Sequence, residues 1–330
     1  MGQLMKIRIS YVITLAFIAL FTYFYRQDGA IATSVVYTAI QFALPLALAA
    51  MVGVMCERTG IVNIGIEGTM LLSAFTAFFV GAILKDTVKG LVAGVLTGVI
   101  VGLLLALMAV SWKMDQIIAG VIINILAAGL TSFLYRQNYS IPSTLSPIDL
   151  PIIGTWPIIG PILSFHGPIT YFGIVFIIGL WIALYRTPWG LRSRAVGEHP
   201  SSADTAGVSV TKLRYLNVTI AGAIGGLAGA YLSLEAVGIF ERGFTAGKGF
   251  TALAIMIFGR WNPMGAFAAA LFFGLAQAVT NQLMIDEVVK IPPQFINMLP
   301  YVLTIIILAL SAGKVRPPAA EGIPYEKEKT

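Results

Sequence analysis

The chain is poor in charge. Of its 330 residues only 11% are Asp, Glu, Lys or Arg, 58% are hydrophobic, and the mean hydropathy is +0.87. An average soluble domain carries about 25% charged residues. A soluble fold of this length could not cover its surface with so little charge, which leaves an integral membrane protein as the class. Cysteine is nearly absent too. Cys56 stands alone, so no intrachain disulfide can form, and its place at the end of an apolar run makes it a packing residue. There are two histidines, His166 and His199, with no Cys/His zinc spacing, no HExxH and no clustered carboxylates. No nucleophile–base pair emerges, and an enzyme reading has nothing to stand on. The net charge of +6 does not imply nucleic acid, because the basic residues are scattered between apolar spans, where loops collect them.

What is present in abundance is apolar sequence. Lys6 and Arg8 precede a run from Tyr11 to Tyr25, the layout of a signal peptide, and Ala30-Ile31-Ala32 offers small residues for cleavage. Tyr23, Phe24, Tyr25 and Arg26 are too bulky and polar for a cleavage region, so an uncleaved first membrane helix is expected. With about 20 apolar residues per crossing, helices fall near 9–25, 33–55, 65–84, 90–111, 116–135, 169–185, 215–235, 249–259, 264–284 and 296–312. The expected fold is all-α, a polytopic membrane helix bundle of about ten transmembrane helices with interrupted or re-entrant segments. The run 249–259 is too short to cross unless its flanks or a re-entrant path help.

Basic residues orient the bundle. With the N-terminus in the cytoplasm, 14 of the 21 Lys and Arg fall on inside segments and 7 outside. The positive-inside rule then places both termini in the cytoplasm. Residues 1–312 read as a single transmembrane domain and 313–330 as a cytoplasmic tail. The external loop 137–168 holds six prolines and no Lys or Arg, the composition of an ordered cap or short hairpin. Asn138-Tyr139-Ser140 fits a glycosylation acceptor, a pattern short enough to arise by chance.

The longest cytoplasmic loop, 186–214, carries five basic residues, Glu198, Asp204 and Pro200. Ser201 or Ser202 can cap a short helix over Ala203 to Ala206, and Gly207 can end it. Such a helix is either a connector or a docking surface. Glycines recur at helical spacing at Gly94, Gly98 and Gly102, and at Gly222, Gly226 with Gly225, Gly229; these stripes let helices approach closely in lipid.

Two polar stretches interrupt the apolar pattern. Glu57-Arg58-Thr59-Gly60-Ile61-Val62-Asn63-Ile64-Gly65-Ile66-Glu67-Gly68 puts three glycines, two carboxylates, a guanidinium and an amide between membrane segments. Broken backbone at membrane depth must face protein or an aqueous cavity, and a cavity serves a solute. Asn63 and Glu67, four apart, would share a face on a helix; Glu57 and Arg58 are either an interfacial pair or a structural salt bridge. The second stretch, Gly238 to Gly249, holds Glu241, Arg242, Phe244, Thr245 and Lys248. Gly247-Lys248-Gly249 is not a phosphate loop, because the glycine spacing is one short and Gly249 replaces the metal-binding Ser or Thr. Both stretches lead toward an aromatic–glycine group, Phe79-Val80-Gly81 and Phe272-Phe273-Gly274, the pattern of inverted repeats with a site between them. Asn63, Glu67, Phe244 and Thr245 are therefore the candidate lining of a substrate pathway.

At these residues the sequence resembles a known family. Glu57 to Gly68, Ala195-Val196-Gly197-Glu198-His199-Pro200 through Ala206-Gly207-Val208, and Phe258-Gly259-Arg260-Trp261-Asn262-Pro263 resemble bacterial ATP-binding cassette (ABC) importer permeases of the branched-chain amino acid, ribose and nucleoside group, most of all its nucleoside branch. The resemblance covers roughly residues 35–312. It implies a ten-helix permease of the inner membrane, paired with a second, homologous permease, two cytoplasmic ATPases and an external substrate-binding lipoprotein. It also implies that Glu198, Pro200, Ala203, Ala206 and Gly207 belong to the helix that couples to the ATPase. His199 stands where the pattern has Asn, and Ser201-Ser202 where acidic and Ala residues are commoner. No catalytic residue, metal or cofactor of its own is implied, since ATP is bound by the partner. The rival readings are an ion-coupled secondary transporter, with Glu67 and Glu235 as its carboxylates, or a sugar or amino-acid permease of the same group.

Overall fold

A computed structural model describes residues 25–26, 28–285, 298 and 316–327. Among them the regular structure is helical throughout. The helices are α1 Gly29–Glu57, α2 Ile66–Leu84, α3 Thr87–Ala106, α4 Gln116–Leu134, the short α5 Pro151–Gly154 and α6 Ile159–Leu163, α7 Pro168–Arg186, α8 Pro188–Glu198, α9 Pro200–Thr205, α10 Val210–Tyr231, α11 Lys248–Phe258 and α12 Pro263–Ile285. Single π-helical turns extend α3 over Leu107–Ser111 and α10 over Leu232–Ala236. Seven helices of the described residues are long and apolar enough to cross a membrane. Apart from Tyr25 and Met298, the expected spans at 9–25 and 296–312 lie outside the described residues, so the count of ten rests on sequence.

Three spans start with the same device. Asp28, Asp86 and Asp115 each turn a carboxylate onto the next free backbone N–H groups, at 2.9 and 3.0 Å for Ala30 and Ile31 below Asp28. An uncapped first turn would leave those donors unpaired. These caps start α1 and α3 at positions 29 and 87, before the apolar runs at 33 and 90, because hydropathy is blind to a polar first turn. Elsewhere Pro168, Pro188, Pro200 and Pro263 take the first helical position, where a missing N–H costs nothing.

The core forms where helices have small faces. α10 packs on α1, α2 and α3, and α12 on α1. The two glycine stripes meet each other: a Cβ on Gly98 would collide with the Gly222 carbonyl, and one on Gly226 would lie 2.7 Å from the Gly94 carbonyl. Pro45 lies inside α1 and cannot donate to the Gln41 carbonyl one turn back. The Tyr231 hydroxyl on α10 donates to that carbonyl instead, at 3.1 Å. In lipid no water could fill the gap.

The repeat pattern drawn from the aromatic–glycine groups needs correction. Phe79 to Gly81 do end α2, but the stretch 238–247 leads into α11, which ends at Phe258. Phe272 to Gly274 lie midway along α12, behind a complete extra helix.

Candidate functional site

α1 runs 29 residues, about 43 Å at 1.5 Å per residue, longer than the hydrocarbon core of about 30 Å. The chain then doubles back without helix over 58–65, and α2 begins deep inside the bundle. Asn124, midway along the 19-residue α4, marks the depth. Its Oδ1 accepts from the Gly68 N–H at 2.8 Å and its Nδ2 donates to the Ile64 carbonyl at 3.1 Å. Gln116, one residue into α4, accepts from the Val62 N–H at 2.6 Å. Two amides on one neighbouring helix thus satisfy backbone that the broken segment leaves free.

Glu67, in the first turn of α2, faces a second helix start. Its Oε1 accepts from the Thr245 hydroxyl at 2.6 Å and the Gly247 N–H at 2.9 Å; its Oε2 accepts from the Gly249 N–H at 2.6 Å. Those donors open α11, only 11 residues long and about 16 Å. The positive end of a helix dipole favours a carboxylate there. Gly249 permits the approach, since a Cβ on it would strike the Glu67 backbone. Lys248 is partly buried beside this clamp, with Nζ donating to the Thr245 carbonyl at 3.4 Å.

Beyond Glu67, α2 carries an aromatic group. Phe75 and Phe79 are 4.5 Å apart between ring centroids, Phe240 lies 5.4 Å from Phe75, Phe244 lies 5.6 Å from Phe240, and Tyr139 lies 5.3 Å from Phe79. Tyr135 joins from the end of α4, with the Arg242 guanidinium 5.4 Å from its ring centroid. A cluster of π-faces above a polar clamp can hold a flat, ring-shaped solute with polar edges.

The expected pathway residues divide. Glu67 and Thr245 are joined directly, and Phe244 packs beside them in the aromatic cluster. Asn63 precedes α2 and is not helical, so the four-residue spacing does not align it with Glu67. Its side chain is buried, with Nδ2 3.6 Å from Cys56 Sγ and with Oδ1 lacking a partner among the described residues. The sequence does not single out Asn124, hidden inside an apolar run, or Phe75, Tyr135 and Phe240, and it marks Phe79 only as part of an aromatic–glycine group.

Glu57 and Arg58 do not pair with each other. The ion pairs among the described residues are Lys89–Asp86, Lys113–Glu326 and Lys327–Asp204. Glu57 instead accepts from the Trp261 indole N–H, and Arg58 Nε donates to the Trp261 carbonyl at 2.9 Å. Arg260 and Trp261 both adopt left-handed backbone, with φ of 55° and 53°, a conformation these contacts hold in place. Gly197 packs so closely that a Cβ would meet the Arg58 carbonyl. The three sequence motifs therefore meet at one place, on the face that also bears α8 and α9.

Of the residues expected to dock the ATPase, Ala203 turns inward and packs with Val196 and Val210, while Glu198, Ala206 and Gly207 are exposed and Pro200 is partly so. Gly207 has φ +85°, which ends the helix as expected. His199 lies exposed at the start of α9, and His166 lies buried between α6 and α7, where burial pushes its pKa down. Its ring stacks on Tyr37 at 4.4 Å. Among the described residues neither histidine ring hydrogen-bonds a Ser, Thr or Cys side chain, and His166 Nε2 instead lies 2.9 Å from the Ile162 carbonyl.

The family model described as "Branched-chain amino acid transport system / permease component" matches residues 34–308. The chain belongs to this family. The permease is 38% identical over 311 residues to the guanosine ABC transporter permease protein NupQ of Bacillus subtilis, covering 89% of this chain and 97% of that one. It is 36% identical over 306 residues to the nucleoside ABC transporter permease protein NupC of Lactococcus lactis, covering 87% and 95%. A second Bacillus subtilis protein, the guanosine ABC transporter permease protein NupP, is 24% identical over 289 residues, covering 82% and 78%. No solved structure matches the chain. The resemblance carried by the three motifs is borne out, and the permease is a multi-pass membrane transport component, not an enzyme.

Proposed function

We propose that the permease is the membrane subunit of an ABC importer that carries nucleosides across the inner membrane, with ATP bound and hydrolysed by separate subunits. One observation carries the reading: Glu67 ties the start of α2 to the start of α11 directly beneath an aromatic cluster. Two interrupted helices joined at mid-depth are the architecture of a solute site in alternating-access transporters. Phe75, Phe79, Phe240 and Phe244 would stack on the base, and Thr245, Lys248 and Asn124 would supply polar contacts. The names of the relatives NupQ and NupC support nucleosides as the cargo.

The partners follow from the same reading. The two guanosine permeases of Bacillus subtilis differ from each other in their likeness to this chain, which supports pairing with a second, non-identical permease. An ATPase would dock on α9 and a binding lipoprotein would deliver solute to the face formed by 137–168, with both termini in the cytoplasm. Closing of the ATPases would rock the helices around the Glu67 clamp.

The ion-coupled reading is weakened by the state of its carboxylates. Both Glu67 oxygens already accept donors, and Glu235 is held the same way, by the Ile169 N–H at 2.7 Å and the Thr170 hydroxyl at 2.6 Å. A coupling ion would have to displace those bonds.

Reconstitution in proteoliposomes tests the proposal. The permease with its partner permease, ATPase and binding protein should accumulate radiolabelled guanosine only with ATP inside, and unlabelled nucleosides should compete where glucose and leucine do not. Accumulation by this chain alone under a proton or sodium gradient would overturn it.

A further inference from the structure

Residues 316–327 form no regular helix, yet they are tied into the protein at both ends of a short path. On one side they grip the docking segment. The Ala320 N–H donates to the Gly197 carbonyl at 2.9 Å, the Ala319 N–H donates to Glu198 Oε2 at 3.3 Å, and Lys327 pairs with Asp204 at 3.6 Å. Tyr325 packs on the cluster of Val196, Ala203 and Val210 that seats α9. On the other side they grip the broken segment. The Gly322 N–H donates to the Gly60 carbonyl at 3.2 Å, which brings the Glu321 carboxyl beside Glu57.

Arg214 joins the two grips. It sits near the start of α10 and is 1% exposed, the largest side chain so deeply buried among the described residues. Its Nε donates to the Thr59 carbonyl at 3.0 Å and its Nη1 to the Ile323 carbonyl at 3.2 Å. A buried guanidinium is costly unless its donors are used; here Nε and Nη1 take acceptors from the break and from the tail at once, while Nη2 has no partner among the described residues. Gly60 and Gly322, at φ +81° and +76°, are turned so that their backbones can meet. An exposed tail held only for solubility would need no buried cation.

From the docking segment the path therefore runs through the tail to residues 57–60, and from there along the broken segment to Glu67 and α11. We infer that residues 316–327, keyed by Arg214, transmit displacement of the docking segment to the break at 58–65, and so position the pathway in step with ATP hydrolysis. This rests on the permease reading above. Direct contact between Gly197 and the Arg58 carbonyl supplies one pivot; the tail supplies a second, and two pivots are what turn a sliding contact into a defined rotation.

The test uses the complete transporter in proteoliposomes, measuring guanosine accumulated per ATP hydrolysed. A chain ending at Val315 should still co-purify with the ATPase and hydrolyse ATP, while accumulation per ATP falls at least tenfold. Arg214→Lys, which keeps the charge but loses one of the two carbonyl bonds, should fall part of the way. If the truncated chain does not yield folded protein, Gly322→Pro gives the decision by the same ratio, since it removes the N–H to Gly60 and cannot adopt φ +76°. An unchanged ratio overturns the inference, as does an equal fall of uptake and hydrolysis, or loss of the ATPase from the complex. The intact chain is the control. If it accumulates nothing with ATP, the permease reading has failed, whereas transport by the intact chain with an unchanged ratio in the variant sinks only the tail's role.

Discussion

Glu67 and Gly249 are 182 positions apart and share a hydrogen bond of 2.6 Å that joins the two interrupted helices. With the Thr245 hydroxyl and the Gly247 N–H, one carboxylate satisfies three donors that lipid could not. The clamp is cheap to hold and expensive to open without a substitute.

Glu67→Ala should therefore destabilise the folded permease, since each buried donor left unpaired costs about 1–3 kcal/mol. Guanosine uptake should fall at least tenfold, a loss of about 1.4 kcal/mol or more in transition-state terms. Glu67→Gln should be milder, because its carbonyl oxygen still accepts while its amide group cannot. Thermal melting in detergent together with uptake checks both variants.

Asn63→Leu should act with opposite signs on stability and transport. Asn63 is 4% exposed and its Oδ1 has no partner among the described residues, a desolvation cost that a side chain of similar volume removes. The melting temperature should rise or hold, while uptake drops as a polar contact of the broken segment disappears. Unchanged uptake would make Asn63 a spacer beside Cys56 and nothing more.

The glycine stripes make a paired prediction. Gly98→Ala must push α3 off the Gly222 carbonyl, an overpacking cost of about 1–3 kcal/mol. Gly129→Ala, on α4, meets nothing within 4 Å among the described residues and should be neutral or slightly stabilising. Yield of monodisperse protein and melting temperature distinguish the two.

Docking should depend on the outer face of α9. Ser202 is exposed there, whereas Ala203 is 5% exposed and belongs to the Val196–Val210 cluster. Ser202→Trp should abolish co-purification of the ATPase without lowering the melting temperature. Ala203→Leu should lower the melting temperature first, because it overfills a small cluster.

Much of this was legible along the chain. Low charge and repeated apolar runs imply a membrane bundle, because hydropathy is a property of each segment by itself. The glycine stripes were legible too, since small-residue spacing within one helix advertises a close neighbour. The break at 57–68 could be read because Gly, Asn and Glu in an apolar context are locally inconsistent with a plain helix. Even the early starts of α1 and α3 are written in Asp28 and Asp86, whose caps carry each helix beyond its apolar run.

Tertiary structure alone decided the rest. Asn124 sits in a run of Ile, Ala and Gly, and nothing within that run says that its amide will meet Gly68. Glu57 and Arg58 look like a pair by adjacency, yet both turn to Trp261, more than 200 positions away. The aromatic cluster assembles from α2, the end of α4, the loop beyond it and the stretch before α11, none of which carries a recognisable motif of rings. Arg214 and the tail find each other across 109 positions. The physical reason is common to all four. Local pattern reports which backbone and side-chain groups will lack a partner within their own segment, while the packing of distant segments determines which group supplies it.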